Sequence, residues 1–222
     1  MARYIPAHLS HKSALVLLPP ASIAAPIEGV RRTHDKNFQR WPAHINLLYP
    51  FLSSPSEPSG QGDDSQLLLK PDIRARIVSV IKDIRPFKMS LDADPPGVFH
   101  HGQGGSKTVW LGPTTQNVQQ LQAALQKEFS EVNADRRPFT PHLSVGQAKS
   151  QVRVDKLKIL IRKRVLEHTL ITKGVLENLD RSSLEEAIPI ALDWHVDQVC
   201  VIQRFGKKDR FQVVDTIKLG EQ

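Results

Sequence analysis

WPAHINLLYPF, residues 41–51, sets a histidine and an asparagine inside a segment otherwise composed like a buried strand. Strand side chains alternate between faces, so His44 and Asn46 share one face while Ile45 and Leu47 share the other. FTPHLSVGQ, residues 139–147, repeats the pattern: a proline just upstream, then histidine, an apolar residue, a small polar residue and another apolar one. There His142 and Ser144 point one way, Leu143 and Val145 the other. Each segment predicts a strand whose apolar face packs on its helices and whose other face shows an imidazole and a hydrogen-bond donor.

The surrounding chain repeats as well. SALVLLPP (13–20) reads as a strand stopped by two prolines, a helix follows from about Ile23 to Gln39, and the first histidine segment comes next. Later, KTVWLG (107–112) is a strand, TTQNVQQLQAALQKEFSEV (114–132) a helix with apolar residues at 118, 121, 125, 129 and 132, and the second histidine segment follows. The two histidines stand 98 residues apart, close to half of the 222-residue chain. Duplication is the simplest account, with two lobes facing each other across a cleft.

The remaining elements fill out that plan. PDIRARIVSVIKDI (71–84) has a helical period with Pro71 in its first turn. FKMSL (87–91) is a strand joined to 107–112 by a Gly/Pro/His-rich loop. A basic helix spans about 152–168, and no period assigns an element to the stretch containing DRSSLEEA. HVDQVCVIQRF and RFQVVDTIKL form a terminal hairpin across GKKD. The hairpins imply antiparallel pairing, so the fold class is α+β: one two-lobed domain over 1–222, two antiparallel sheets flanked by helices around a central cleft. Residues 52–66 and 92–106 read as mobile loops.

Two imidazoles in one cleft suit general acid–base catalysis, since histidine holds either protonation state near neutral pH. An Asn amide and a Ser hydroxyl can each donate to a phosphate oxygen and stabilise charge developing on it. HINL (44–47) and HLSV (142–145) resemble the paired His-x-Thr/Ser-x signatures of the two-histidine phosphoesterases, which include 2′-5′ RNA ligase-like proteins and RNA 2′,3′-cyclic phosphodiesterases. The resemblance runs over roughly residues 13–217. It implies a bilobal fold with a pseudo-two-fold axis and metal-independent phosphodiester chemistry on RNA 3′ ends or cyclic nucleotides, with no cofactor. It also implies that one of His44 and His142 acts as base on the attacking water and the other as acid on the leaving ribose oxygen; we take His44 as the acid and His142 as the base, with a 2′-phosphate as the product.

Asn46 departs from the family, which carries Thr or Ser there. Asn is a poor strand former, so its place mid-strand suggests a task. Two other readings stay open: an RNA 3′-end exonuclease with similar chemistry, and a non-catalytic module that holds a nucleotide or RNA end.

Further candidates come from position. Gln147 stands where some relatives carry a substrate contact, but alternation turns it from Ser144 unless Gly146 breaks the strand. Trp110, Phe99 and Phe139 offer faces on which a base could stack. Arg136 and Arg137 precede the second segment, where they either meet RNA phosphates or solvate a turn. Tyr49, off-register with His44, reads as core.

Several look-alikes fail on context. His8-Leu9-Ser10 copies the second motif, yet His11 and Lys12 follow at once and no strand continues. His100-His101 lacks carboxylate or cysteine neighbours at metal-ligand spacing, so no metal site is assigned. GQGGSK (102–107) is followed by a strand where a phosphate-binding loop needs a helix. His34, His168 and His195 read as structural.

Composition sets the frame. Net charge +7 favours polyanionic partners such as RNA or a nucleotide. The single cysteine, Cys200, rules out an internal disulfide and reads as a buried small hydrophobe. No apolar run reaches membrane-spanning length and MARYIPAHLSHK lacks an apolar leader core, so the expectation is an intracellular monomer, cytoplasmic or nuclear.

Overall fold

The computed structural model describes residues 5–58, 67–102, 105–135, 137–174 and 189–221. Arg136, the DRSSLEEA stretch and part of each expected loop lie outside these residues. The first part of the chain gives β1 (Leu9–Ser10), β2 (Ser13–Leu17), α1 (Ala21–His34), β3 (Ile45–Leu48), β4 (Phe51–Leu52), β5 (Ser56–Pro58), β6 (Leu67–Leu69) and α2 (Pro71–Ile81). It continues with β7 (Phe87–His100), β8 (Lys107–Pro113), α3 (Asn117–Glu128), β9 (Leu143–Ala148), α4 (Gln151–Thr172), β10 (Ala191–Val196), β11 (Gln198–Gln203) and β12 (Gln212–Lys218).

Eight of these strands form an antiparallel sheet in the order β10-β7-β8-β9-β3-β2-β11-β12. β3 and β9 meet through one residue pair, Ile45 opposite Leu143. The two sheets expected from the duplication are therefore two four-stranded halves joined at a narrow seam. Asp197 alone separates β10 from β11, yet these strands stand six places apart in the order. On a flat sheet that is roughly 29 Å at about 4.8 Å per strand, while two residues reach only ~7 Å. The sheet must curl, and the curl creates the cleft.

The helices form for local reasons and then cross over. α1 starts after Pro19-Pro20 and buries Ile23, Ile27 and Val30 along one stripe. α2 begins at Pro71, with Asp72 in its first turn and Ile73, Ile77 and Ile81 buried. α3 buries Val118, Leu121 and Leu125. The Ser150 side chain caps α4 by accepting from Arg153 N–H. Although α1 follows β2 in sequence, it packs on β9, and α3, which follows β8, packs on β3. Each half-sheet is thus covered in part by the other half's helix, with α4 lying on its own half at β7, β8, β9 and β10, whereas the sequence pattern assigned each helix to its own lobe. None of the described helices is long and apolar enough to cross a membrane.

Two expected boundaries change. The stretch 92–106, read as a loop, is strand as far as His100. The β7–β8 register skips from Asp92 to Gly97, so Pro95 and Pro96 of that Gly/Pro/His-rich stretch bulge off the ladder where no N–H is required. Within 52–66, Ser56–Pro58 pairs with Leu67–Leu69.

Candidate active site

With Ile45 opposite Leu143 in an antiparallel pair, the register sets His44 across from Ser144 and Asn46 across from His142. Ile45 and Leu143 are fully buried in the main core, so the four polar side chains share the opposite, concave face. All four line a cavity of about 500 Å³.

The two histidines are held alike. His44 Nδ1 lies 2.8 Å from the carbonyl of Pro42, and His142 Nδ1 lies 2.7 Å from that of Thr140. A carbonyl only accepts, so each Nδ1 carries the proton and donates it. Each Nε2 is left for the cleft, a lone pair when the ring is neutral and a donor when it is charged.

Each half also carries a β-bulge at the same place. Leu47 is the extra residue between Leu15↔Leu48 and Val16↔Asn46, and Val145 is the extra residue between Val109↔Gly146 and Trp110↔Ser144. A bulge reverses the alternation beyond it. Gln147 and Tyr49, each five residues past its histidine, therefore return to the cleft side and both line the cavity. Gly146 does not break the strand, which runs on to Ala148; the bulge at Val145, not such a break, turns Gln147 to the cleft. Tyr49, read as core, does pack on the small apolar cluster of Ala14, Val16, Cys200, Ile202 and Phe211, and the inserted residue that simple alternation leaves out also brings it to the cavity.

Gln147 is already engaged. Its Oε1 accepts from Lys36 N–H at 3.0 Å and its Nε2 donates to Asp35 Oδ1 at 3.1 Å. Gly146 allows this closeness: a Cβ there would stand 2.8 Å from His34 Cβ. Asp35 in turn accepts from Arg31, at 2.8 Å between Nη2 and Oδ2, and both side chains are almost fully buried. Arg31 also donates to the Trp41 carbonyl and to Glu28, fixing the segment that leads to His44.

Aromatic rings flank both histidines, in different ways. Trp41 stacks on the face of His44, with centroids 4.6 Å apart and planes 18° apart. Phe99 meets His142 edge-on at 4.7 Å, and Trp110 stacks behind Phe99 at 5.0 Å. Phe99 thus lines the cleft and Trp110 supports it, with its Nε1 buried and unpartnered. Phe139 and Arg137 line an adjoining cavity of about 630 Å³ that opens on Asn46 and His142, and Arg137 donates to Asp135 at 2.8 Å.

Burial lowers the His44 pKa from 6.5 to about 4, against the pull of the Pro42 carbonyl; positive charge on Arg31 and His142 lowers it further. His142 is lowered for the same first reason, with Arg137 and His101 adding to it and the Thr140 carbonyl opposing. Both rings are therefore neutral near pH 7. Asn46 Oδ1 is buried without a partner.

Sequence reasoning missed Arg31, Asp35 and Trp41, and two groups on the cleft rim. One is His101, whose Nε2 lies 2.8 Å from Thr108 Oγ1. The other is Arg40 with Arg204, whose positive charges both act on the Tyr49 phenol and oppose the rise that burial causes in its pKa. Among the described residues, no group of three or more His, Cys, Asp or Glu side chains is placed to hold a metal ion.

The model of a family described as the 2′-5′ RNA ligase superfamily matches residues 19–208. No curated protein matches the chain. Among solved structures, TT0787 of Thermus thermophilus is 13% identical, with 94% of this chain and 98% of that one covered and a TM-score of 0.52, a likeness of fold. LigT of E. coli in its apo form is 14% identical over 95% of this chain and 98% of that one, at a TM-score of 0.49. Usb1 of Kluyveromyces marxianus is 14% identical over 95% and 98%, at 0.39.

Proposed function

Since the chain belongs to the 2′-5′ RNA ligase superfamily and is a phosphoesterase of the two-histidine type, we propose that it hydrolyses a 2′,3′-cyclic phosphate at an RNA end or in a small nucleotide to the 2′-phosphate. The observation that carries this reading is the matched pair of imidazoles. Each is locked through Nδ1 to a backbone carbonyl two residues upstream, and each offers Nε2 to one cleft from its own side of the seam.

In the proposed step, water attacks phosphorus and gives its proton to His142 Nε2. The bond from phosphorus to the ribose 3′ oxygen breaks, and His44 Nε2 delivers a proton to that oxygen. The Ser144 hydroxyl and Asn46 amide hold the phosphoryl oxygens as charge builds on them. The fixed tautomers leave neither ring free to turn its Nδ1 to the substrate. His44 must be protonated to serve as acid, and the anionic substrate beside it raises its pKa from the depressed value. Each imidazole contributes on the order of 10²–10⁴-fold.

The adjoining cavity of about 630 Å³ next to His142 favours a second reading, in which a further nucleoside of an RNA chain occupies it and the chain trims RNA 3′ ends. One assay separates these readings. The protein is incubated with excess chelator and either a 2′,3′-cyclic mononucleotide or an RNA oligomer, and products are identified. Conversion of the first to a 2′-phosphate supports the proposal. Shortening of the oligomer supports the exonuclease, and binding without product in either arm overturns both.

A further inference from the structure

Arg204 is 9% exposed and lies on the cleft wall just past the end of β11. Its guanidinium donates to the backbone carbonyls of Lys207 and His11 and lies 5.0 Å from the Phe211 ring. Its Nε is buried with no acceptor. Among the described residues it has no carboxylate partner. A buried cation without a counter-ion is costly, and proteins rarely retain one unless an anion visits it. Arg31, also buried, has both Glu28 and Asp35.

Arg40 lines the same cleft, and among the described residues its side chain donates to the neutral amide of Asn37 and has no carboxylate partner. The Tyr49 hydroxyl and Arg204 Nη2 both reach the His11 carbonyl, at 3.5 and 3.4 Å, and the Arg40 carbonyl accepts from the N–H of Phe211, whose ring lies against Arg204, which gathers the three residues at one end of the cleft. The distance to the reacting centre is short. Tyr49 and His44 pack against the same indole, Trp41, at 5.2 and 4.6 Å. Ser144, the donor at the reacting phosphate, belongs to the other half.

We propose that Arg40, Tyr49 and Arg204 form a second anion subsite, which takes a phosphate adjoining the reacting one. The substrate class is then a nucleotide carrying at least two phosphates, as at the end of an RNA chain, rather than a lone cyclic nucleoside phosphate. This rests on the phosphoesterase reading above. Arginine suits the task because its planar fork matches phosphate oxygens and stays charged at any working pH.

The test is equilibrium binding of three product-like ligands at one fixed salt concentration: adenosine 2′-phosphate, adenosine 2′,5′-bisphosphate, and the dinucleotide ApA ending in a 2′-phosphate. The second phosphate should tighten binding tenfold or more. In Arg40→Gln and Arg204→Met the ratio between ligands should fall below threefold. The melting temperature of Arg204→Met should hold or rise, which a merely structural arginine would not allow. If Arg204→Met fails to fold, Arg40→Gln alone decides through its ratio. Equal gains from bisphosphate and dinucleotide mark a chain phosphate, and a gain from the bisphosphate alone marks a terminal one; both support the subsite. A wild-type ratio near one, or a ratio kept in the variants, overturns it. Failure to bind any of the three instead sinks the phosphoesterase reading on which it rests.

Discussion

The two halves of the sheet repeat one device on different backgrounds. In both, a histidine donates Nδ1 to the carbonyl two residues upstream, a bulge follows three residues later, and the residue two places further returns to the cleft. Around that shared frame almost everything differs. The first half fills its concave face with Ala14, Val16, Cys200, Ile202 and Phe211, and lays Trp41 flat on His44. The second half leaves polar groups there, Thr108 and His101, and turns only the edge of Phe99 to His142. Asn46 stands where the second half has Ser144. Duplication therefore fixes where the imidazoles sit, and divergence decides what each one experiences. Backbone hydrogen bonds preserve the geometry while side chains set the electrostatics.

The largest effect should come from the part the halves share. His44→Ala and His142→Ala should each lower kcat about 10²–10⁴-fold with little change in melting temperature. A substrate with sulfur in place of the 3′ oxygen needs no acid, so it should restore His44→Ala and leave His142→Ala slow. Restoration of the other variant reverses the assigned roles.

A smaller effect tests the position where the halves differ. Ser144→Ala should cost roughly 10²-fold in kcat by removing one donor at the developing charge. Asn46→Ser makes the halves alike and should change kcat less than about tenfold. A gain beyond that would mean that the native asparagine suits holding a nucleotide better than turning it over.

The smallest effect concerns the flanking rings. Trp41→Leu should raise the His44 pKa from about 4 toward 6.5, read by NMR titration, because burial is the main cause of its depression. The sign for stability follows. Below pH 6.5 the unfolded chain takes up a proton at this residue that the native state refuses, so stability falls as pH drops from 6.5 toward about 4. Thermal melts of Trp41→Leu over that window should show a shallower loss. In wild type, a reaction needing one charged and one neutral imidazole should show kcat/KM greatest below pH 6.5.

Much of this was legible in the chain. Two short motifs, each after a helix, located both histidines, Asn46 and Ser144, because period-two alternation is a strong local signal. Bulges are not local: Leu47 and Val145 look like any strand residues, so the cleft-side place of Tyr49 was missed and Gln147 was tied to a break at Gly146 that does not occur. Nor does sequence order show which sheet a helix will cover, so the exchange of α1 and α3 between halves was invisible. Arg31 did leave a trace. It lies four residues after Ile27 on the apolar stripe of its helix, where a charge signals a buried partner. Arg204 left none, since an arginine at a strand end is ordinary and only the curl carries it to the cleft.

The route by which the last strands join the sheet bears on how the protein is made. β7, β8, β9 and β10 all fall within residues 87–196 and are neighbours in the sheet, so the second half can assemble once its own stretch of chain exists. The first half cannot: β11 lies between β2 and β12 and comes from residues 198–203. As synthesis runs from the N-terminus, β2 and β3 wait with an open edge until nearly the whole chain is present, a long-range closure that slows folding. The half made first is finished last, and a chain ending between β10 and β11 would lack the support of His44 while keeping the strands around His142.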